Sequence, residues 1–221
     1  MSLIIQPAPT ERLSSELVAA FRQIPPSIIG DELNRMAALP SAIKPVAPGM
    51  AFAGEAMTVQ CMVGDNSAAH YAIAHAFAGA VLMIDGRGHE ETALWGAIMT
   101  HAAAARGVEA VVINGAVRDL ADLRKRGFPV FARAGTPAGP HKGWGGAVNV
   151  PIGCGGVTIH PGDLLVGDDD GVVVVARTQL SGLIERCRAR LTKEQNTIAG
   201  LDAGKLTVEL SGLPPVDQVG R

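Results

Sequence analysis

Aromatic residues are scarce in this chain, 4% of 221 residues with a single tyrosine. Alanine and glycine are abundant instead, with 27 glycines. Small side chains let backbones pack closely, and a close subunit interface is one use of that. Cysteine is rarer still. Cys61, Cys154 and Cys187 are widely spaced and form no CxxC pair, which argues against a zinc site or a disulfide framework and fits a reduced, cytoplasmic setting. No basic run stands out and the net charge is -2, so non-specific nucleic-acid binding is not expected. No stretch of about 18 apolar residues lacks charges, so no membrane span is expected. The first residues, MSLIIQPAPTER, carry neither a basic n-region nor a long apolar core, and no secretory signal is expected there. GxSxG, a Walker A loop and a GxGxxG opening a helix are all missing, which removes serine-hydrolase and nucleotide-binding readings. None of the six histidines, His70, His75, His89, His101, His141 and His160, stands in HExxH or another tight metal-ligand spacing.

Hydrophobic residues make up 48% of the chain and charged ones 18%, as in a packed globular protein. The length supports one substantial core. Thr10 to Gln23 reads as a helix capped by Thr10 and ended by Pro25-Pro26. Ser27 is placed to cap a second. A strand is expected near Met57 to Val63, a helix over Ser67 to Phe77 and a buried strand over Ala80 to Ile84. Thr92 to Arg106 reads as a helix stopped by Gly107. Val108 to Ile113 reads as a strand, Leu120 to Arg126 as a short helix and Val130 to Ala132 as a strand. After Gly135 a Gly- and Pro-rich loop leads to short strands at Gly156 to His160, Leu164 to Val166 and Gly171 to Ala176. Thr178 to about Gly200 reads as one long helix. The alternation predicts an α/β fold in a single domain over residues 1–200. A C-terminal tail, Leu201 to Arg221, is too rich in Pro and Gly to carry much structure.

The segment INGAVRDLAD, Ile113 to Asp122, concentrates the chemistry. A strand ending in Asn-Gly, followed by Arg-Asp, sets a cation beside a carboxylate where α/β sheets bind ligands. Arg118 can clamp a carboxylate with its planar fork. Asp119 can hold a hard divalent cation directly or through water. The structural alternative is an Asp capping a helix with Arg118 as its ion-pair partner. One strand earlier, Trp95-Gly96-Ala97-Ile98 lies near a helix start, whose free amides make an anion site. The alternative there is a glycine that merely permits close packing. His89 and His141 read as solvated loop residues, and Glu194 by itself as a surface helical residue. Asp168 to Gly171, DDDG, lacks the spacing of a calcium loop and reads as a tight acidic turn.

Three segments, IDGRGHEETALWG, AAAARGVEAVVINGAVRDLAD and NVPIGCGGVTIHPGDLLVGDDDGVVVV, resemble the 4-hydroxy-4-methyl-2-oxoglutarate aldolase family, which shares its fold with the regulators of ribonuclease E activity. The resemblance runs from Ile28 to Glu194 and includes an acidic residue at Asp122 that the aldolases carry. It implies an α-β-β-α sandwich related to swivelling β/β/α domains. It also implies trimers or hexamers with sites at subunit interfaces. It assigns the pyruvyl group to Arg118, and magnesium or manganese to Asp119, largely through waters. The substrate carboxylate goes to the amides of Gly96, Ala97, Ile98 and Met99. The resemblance further implies that Glu194 of a neighbouring subunit completes the metal's water shell. Asn114, where many members have Asp, and Ala97, where an acidic or polar residue is common, are departures that bear on substrate preference.

The resemblance and the residues point the same way, to a metal-dependent (class II type) aldolase. It would cleave the C3–C4 bond of a 4-hydroxy-2-oxo acid to a pyruvate enolate, which oxaloacetate decarboxylation also yields. No Lys stands at an obvious buried strand end, which argues against a Schiff-base route. The alternatives are a non-enzymatic regulator binding a ribonuclease or helicase, and a lyase or hydratase acting on another acid.

Overall fold

The structure, a computed structural model, describes residues 2–214. The strands are β1 (Leu3–Ile5), β2 (Lys44–Pro45), β3 (Phe52–Cys61), β4 (Ala80–Trp95), β5 (Ala110–Val117), β6 (Val130–Gly135), β7 (Gly146–Val148), β8 (Ile152–Cys154), β9 (Val157–Ile159), β10 (Leu164–Asp168) and β11 (Gly171–Val175). The helices are α1 (Ser15–Arg22), α2 (Pro26–Glu32), α3 (Ser67–His75), α4 (Ala97–Ala105), α5 (Leu120–Arg126), α6 (Leu183–Asp202) and α7 (Thr207–Leu210). No helix among the described residues is long and apolar enough to cross a membrane.

Strands β3, β4, β5 and β6 run parallel, in that order. Strand β3 is shared along its length, with its first half pairing antiparallel to β10 and its last three residues to β7. Side-chain alternation divides the buried residues into layers. Ala80, Leu82 and Ile84 of β4 face one way and join Ala69 and Ala72 of α3, Met99 and Ala103 of α4 and Leu123 of α5. Val81 and Met83 face the other way, onto Ile152, Cys154, Ile159, Leu165 and Val174 of the second strand layer. The far side of that layer, with Leu164, Val166, Val173 and Val175, is covered by Phe21, Ile28, Ile29, Leu183 and Cys187 from α1, α2 and α6. The order is therefore helix, strand, strand, helix, as the resemblance implies.

Several boundaries differ from the sequence reading. Ser14, not Thr10, caps α1, accepting from Leu17 N at 3.2 Å. Helix α2 begins with Pro26 as its first residue, where proline costs no helical N–H, and Ser27 is already inside it. The helix expected from Thr92 starts only at Ala97. Thr92 to Trp95 remain strand because His89, Ala93 and Trp95 pair with Gly115, Ala116 and Val117 across bulges. This pairing, with Leu94 and Trp95 fully buried, outweighs the helical propensity of the segment. By the same pairing β5 does not end at Asn114-Gly115 but runs on to Val117. The long C-terminal helix is interrupted. Arg177–Gln179 form a 3-10 turn, Gly182 takes a left-handed φ of 69°, and only then does α6 begin. It continues to Asp202, and α7 lies within the expected tail, whose last part, 215–221, falls outside the described residues.

Candidate functional site

Strands β4 and β5 are parallel neighbours, so whatever follows each lands on the same edge of the sheet. Gly96 follows β4, and Arg118-Asp119 follows β5. The two ends are tied together by Arg118 N donating to Trp95 O at 2.9 Å. The indole N–H of Trp95 donates to Thr100 Oγ1 at 2.7 Å, and that hydroxyl donates to Gly96 O at 3.1 Å. This buried chain fixes the first turn of α4 against the end of β4.

Asp119 stands at the N-cap position of α5 in a left-handed conformation, φ 61° and ψ 36°, but makes no capping bond to its own helix. Instead Oδ2 accepts from the Ala97 amide of α4 at 3.0 Å. The Arg118 guanidinium is only loosely paired with it, Nε to Oδ2 being 3.8 Å. The capping alternative therefore fails, and so does a close ion pair. The glycine at 96 is needed for space. Its backbone is extended, but a Cβ there would stand 2.6 Å from Asp119 Oδ2 and 3.1 Å from Arg118 Cγ. Gly139 leaves similar room, since its Cβ would lie 2.9 Å from Arg118 Nη1.

Gly96, Arg118 and Asp119 line a cavity of about 170 Å³ with Asn66, His70, Ala93, Trp95, Ile98, Met99, Pro140 and Lys142. The cavity has room for a small acid. Loop 136–145 forms one wall. It is held by Thr136 N to Val117 O (2.9 Å), Ala93 N to Ala138 O (2.9 Å) and His141 N to Gly64 O (2.7 Å). Asp65 anchors both the loop and α3. Its Oδ1 accepts from Ser67 N at 2.8 Å and its Oδ2 from Trp144 N at 3.1 Å. Burial alone would raise the Asp65 pKa, but the bonds from Ser67 and Trp144 outweigh it and hold the carboxyl below its ordinary value. His70 is held below its ordinary value by burial and then by the nearby Lys142 charge. Cationic groups, Arg118 and Lys142, thus face a cavity with one carboxylate, Asp119.

Of the residues expected from the sequence, Gly96, Ala97, Ile98, Met99, Arg118 and Asp119 come together. The Ala97 amide, expected for substrate, is taken by Asp119. The amides of Ile98 and Met99 lie in the first turn of α4, where no helical acceptor exists. Asp122 is exposed on the first turn of α5. Glu194 lies on α6, paired with Arg190 at 3.8 Å, and does not line this cavity in its own chain. His89 bonds Thr92 Oγ1 at 3.2 Å on the bulged part of β4, outside the lining. Asp168–Asp170 form the turn of the β10–β11 hairpin, Asp168 Oδ1 accepting from Asp170 N at 2.9 Å, as a tight acidic turn requires. Asn114, one of the two departures, donates to Asp85 Oδ1 at 3.2 Å; an Asp there would set two carboxylates together. Asn66, Pro140 and Lys142 were not among the expected site residues. No motif marks them, because they reach the cavity from a helix start and a distant loop. Cys61 and Cys154 offer no nucleophile, since desolvation pushes their thiols up to about 12 and about 11.

Asp119 is the one carboxylate in the lining and could hold a hard cation. Its Oδ1 has no protein partner among the described residues, and among them no three His, Cys, Asp or Glu side chains converge. One open carboxylate oxygen suits a divalent ion that keeps most of its waters, as magnesium does, rather than a protein cage.

A family model described as RraA-like, Aldolase/RraA, matches residues 27–174. A protein of Halalkalibacterium halodurans named "Putative 4-hydroxy-4-methyl-2-oxoglutarate aldolase" is 37% identical over 180 residues, 81% of this chain and 86% of that one. An uncharacterized protein from Pseudomonas syringae pv. tomato superposes with a TM-score of 0.80 at 28% identity, over 93% of this chain and 97% of that one. The RNA-processing inhibitor RraA from Thermus thermophilis superposes with a TM-score of 0.64 at 33% identity, over 69% of this chain and 93% of that one. The chain belongs to the RraA-like family.

Proposed function

We propose that this protein is a divalent-metal-dependent aldolase that cleaves 4-hydroxy-2-oxo acids to pyruvate and decarboxylates oxaloacetate at the same site. The observation that carries this reading is the bond from Ala97 N to Asp119 Oδ2. It takes Asp119 away from its own helix and leaves Oδ1 open beside a loosely paired Arg118. The name of the Halalkalibacterium relative supports the substrate class.

In this reading the guanidinium of Arg118 holds the pyruvyl carboxylate and keto oxygen, and the open amides of Ile98 and Met99 take the remaining carboxylate charge. As the 4-hydroxyl gives its proton to a water and the C3–C4 bond breaks, C4 becomes a carbonyl and the bonding electrons pass into an enolate whose keto oxygen Arg118 would stabilise, until C3 takes a proton to give pyruvate. A divalent ion held by Asp119, largely through waters, would add Lewis acidity at the same oxygen. Ala93, Trp95 and Met99 make part of the cavity wall apolar. Glu194 enters from a neighbouring subunit of a homotrimer or homohexamer. Ile98, 79% exposed, with Tyr71 and Trp144 also exposed, offers apolar surface for such a neighbour.

The test is pyruvate release from oxaloacetate and from 4-hydroxy-4-methyl-2-oxoglutarate, with magnesium and with EDTA. Metal-dependent release from both is expected. Release from neither, together with tight capture of a ribonuclease, would replace this reading with the regulator function that the name of the Thermus relative states for that protein.

A further inference from the structure

Five of the six histidines have a partner for the ring. His75 Nδ1 donates to Tyr71 O at 2.9 Å, His89 bonds Thr92 Oγ1 at 3.2 Å, and His101 Nδ1 accepts from Arg126 Nη1 at 3.2 Å. His141 stacks on Trp144, and His160 Nδ1 lies 3.8 Å from Asp163. His70 has no such partner among the described residues. It is exposed and lines the cavity that holds Arg118 and Asp119. It also lines a wider, open depression of about 490 Å³, with Leu3, Tyr71 and Lys142. The ring therefore stands between the cavity and the solvent outside. Its helix is well placed, since His70 N donates to Asn66 O at 3.2 Å and Asn66 Nδ2 donates to Leu94 O at 3.0 Å near the end of β4.

Cleavage of a 4-hydroxy-2-oxo acid needs a group that takes the hydroxyl proton and a proton for C3 afterwards. In the lining, Arg118 and Lys142 are cations, and Asp119 is committed to the metal in the reading above. Asn66 and Trp95 do not titrate. An imidazole is the one group of the set that changes charge near neutral pH. The charged groups that face His70 are Lys142 on loop 136–145, Asp65 just before α3, and Arg118 and Asp119 across the cavity. Ile98 and Met99, which face it from α4, carry no charge. Burial, then the Lys142 charge, outweigh the opposing Asp65 and hold the His70 pKa below its ordinary value, so the neutral ring is ready to accept a proton at neutral pH.

We infer that His70 is the general base of the cleavage, taking the proton that the substrate's 4-hydroxyl passes to a water in the cavity. The C3–C4 electrons pass into the enolate as C4 becomes a carbonyl, and the imidazolium then returns a proton to C3. One proton is taken and one is given back, so the ring ends neutral. This rests on the aldolase reading. Oxaloacetate has no hydroxyl proton to lose in its keto form. Its C3–C4 electrons enter the same enolate as CO₂ leaves, and C3 needs only a proton that water can supply. The two reactions therefore separate a base from a side chain that merely shapes the cavity.

The experiment compares wild-type protein and His70→Gln, both with magnesium, on 4-hydroxy-4-methyl-2-oxoglutarate and on oxaloacetate across a range of pH. His70 is exposed, so the variant should keep the melting temperature of the wild type. In the wild type, kcat/KM on the hydroxylated substrate should fall as pH drops through the His70 pKa, with no matching fall on oxaloacetate. The variant should lose about 100-fold or more on the hydroxylated substrate at neutral pH, and lose that pH dependence with it. On oxaloacetate it should lose at most about 3-fold. Equal losses on both substrates, no loss on either, or an acid fall that persists in the variant would overturn the assignment. A second measurement leaves the C–C bond out. With pyruvate alone in D₂O, the variant should exchange the C3 protons at least about 10-fold more slowly than the wild type. Equal exchange rates would overturn the assignment. A wild type that releases pyruvate from neither compound fails the aldolase reading and takes this assignment with it. An active wild type with equal losses in the variant fails the assignment alone.

Discussion

The two ends of the parallel strands carry similar charges and treat them differently. At the amino-terminal end, Glu55 is buried and answered twice, by Arg12 Nη1 at 2.8 Å and by Leu13 N at 2.8 Å. Arg12 also lies 3.5 Å from the centre of the Phe77 ring. Arg22 pairs with Glu109 at 2.7 Å and donates to Ala53 O at 3.1 Å. At the carboxyl-terminal end Arg118 and Asp119 are adjacent in sequence yet 3.8 Å apart and partly exposed. The amino-terminal end also has the larger cavity, about 330 Å³ against about 170 Å³. Size therefore does not locate the site. Charges that satisfy one another hold α1 to the sheet, whereas charges left open are available to a ligand.

The comparison is broken most severely at Arg118 and Asp119. Arg118→Ala and Asp119→Ala should each lower kcat/KM for pyruvate release by about 10³-fold or more, as loss of a group that stabilises developing charge does. The melting temperature of Arg118→Ala should stay within about 2 °C, since a partly exposed charge contributes little to stability, whereas that of Asp119→Ala should fall by a few degrees, because alanine tolerates a φ of 61° poorly and the Ala97 amide loses its acceptor. Near-normal turnover in either variant would remove the site. Gly96→Ala comes next. Its Cβ must displace Asp119 Oδ2 or open the end of β4, and a misplacement of about 1 Å can cost on the order of 100-fold. A folded protein with unchanged kcat would show that the close approach is unimportant.

Glu55→Ala should produce the mirror image. It leaves Arg12 and the Leu13 amide without their partner, at about 1–3 kcal/mol, discounted because Arg12 is itself partly exposed. The melting temperature should fall by several degrees, at ~2–4 °C per kcal/mol for a chain of this size, with kcat retained. Loss of kcat without loss of stability would mean that the two ends are coupled. The smallest effect is expected at Asp65. Its folded-state pKa is lowered, so its contribution is complete above the ordinary aspartate value and is lost as pH falls through the lower folded value. Acidification through that range should loosen loop 136–145, seen as a change in the fluorescence of Trp144, which stacks on His141 with centroids 4.8 Å apart. Asp65→Asn should shift or remove that transition. An unchanged acid profile would show that the loop is held by other bonds.

The α/β alternation was legible because apolar runs such as Val108 to Ile113 and Ala80 to Ile84 are buried on both faces, a pattern that local sequence carries well. The pair Arg118-Asp119 was legible as a contiguous motif, but the start of α4 at Ala97 was not, since the helix was expected from Thr92. The ends of β4 and β5 were not legible either. Thr92 to Trp95 have a helical look on their own and become strand only because β5 lies beside them to pair with. The left-handed Asp119, which no glycine announces, was equally hidden.

By itself, the sequence determined the fold class, the family resemblance and the Arg118-Asp119 pair, because these follow from composition, periodicity and a contiguous motif. Only the tertiary structure decided how those charges are used. Asp119 bonds Ala97 across two helices instead of capping its own, and Asn66 and Lys142 reach the cavity from segments far apart in the chain. The distinction is physical. Hydrogen bonds between residues distant in sequence depend on the register of neighbouring strands and on the path of a long loop, and no window of the chain encodes either alone.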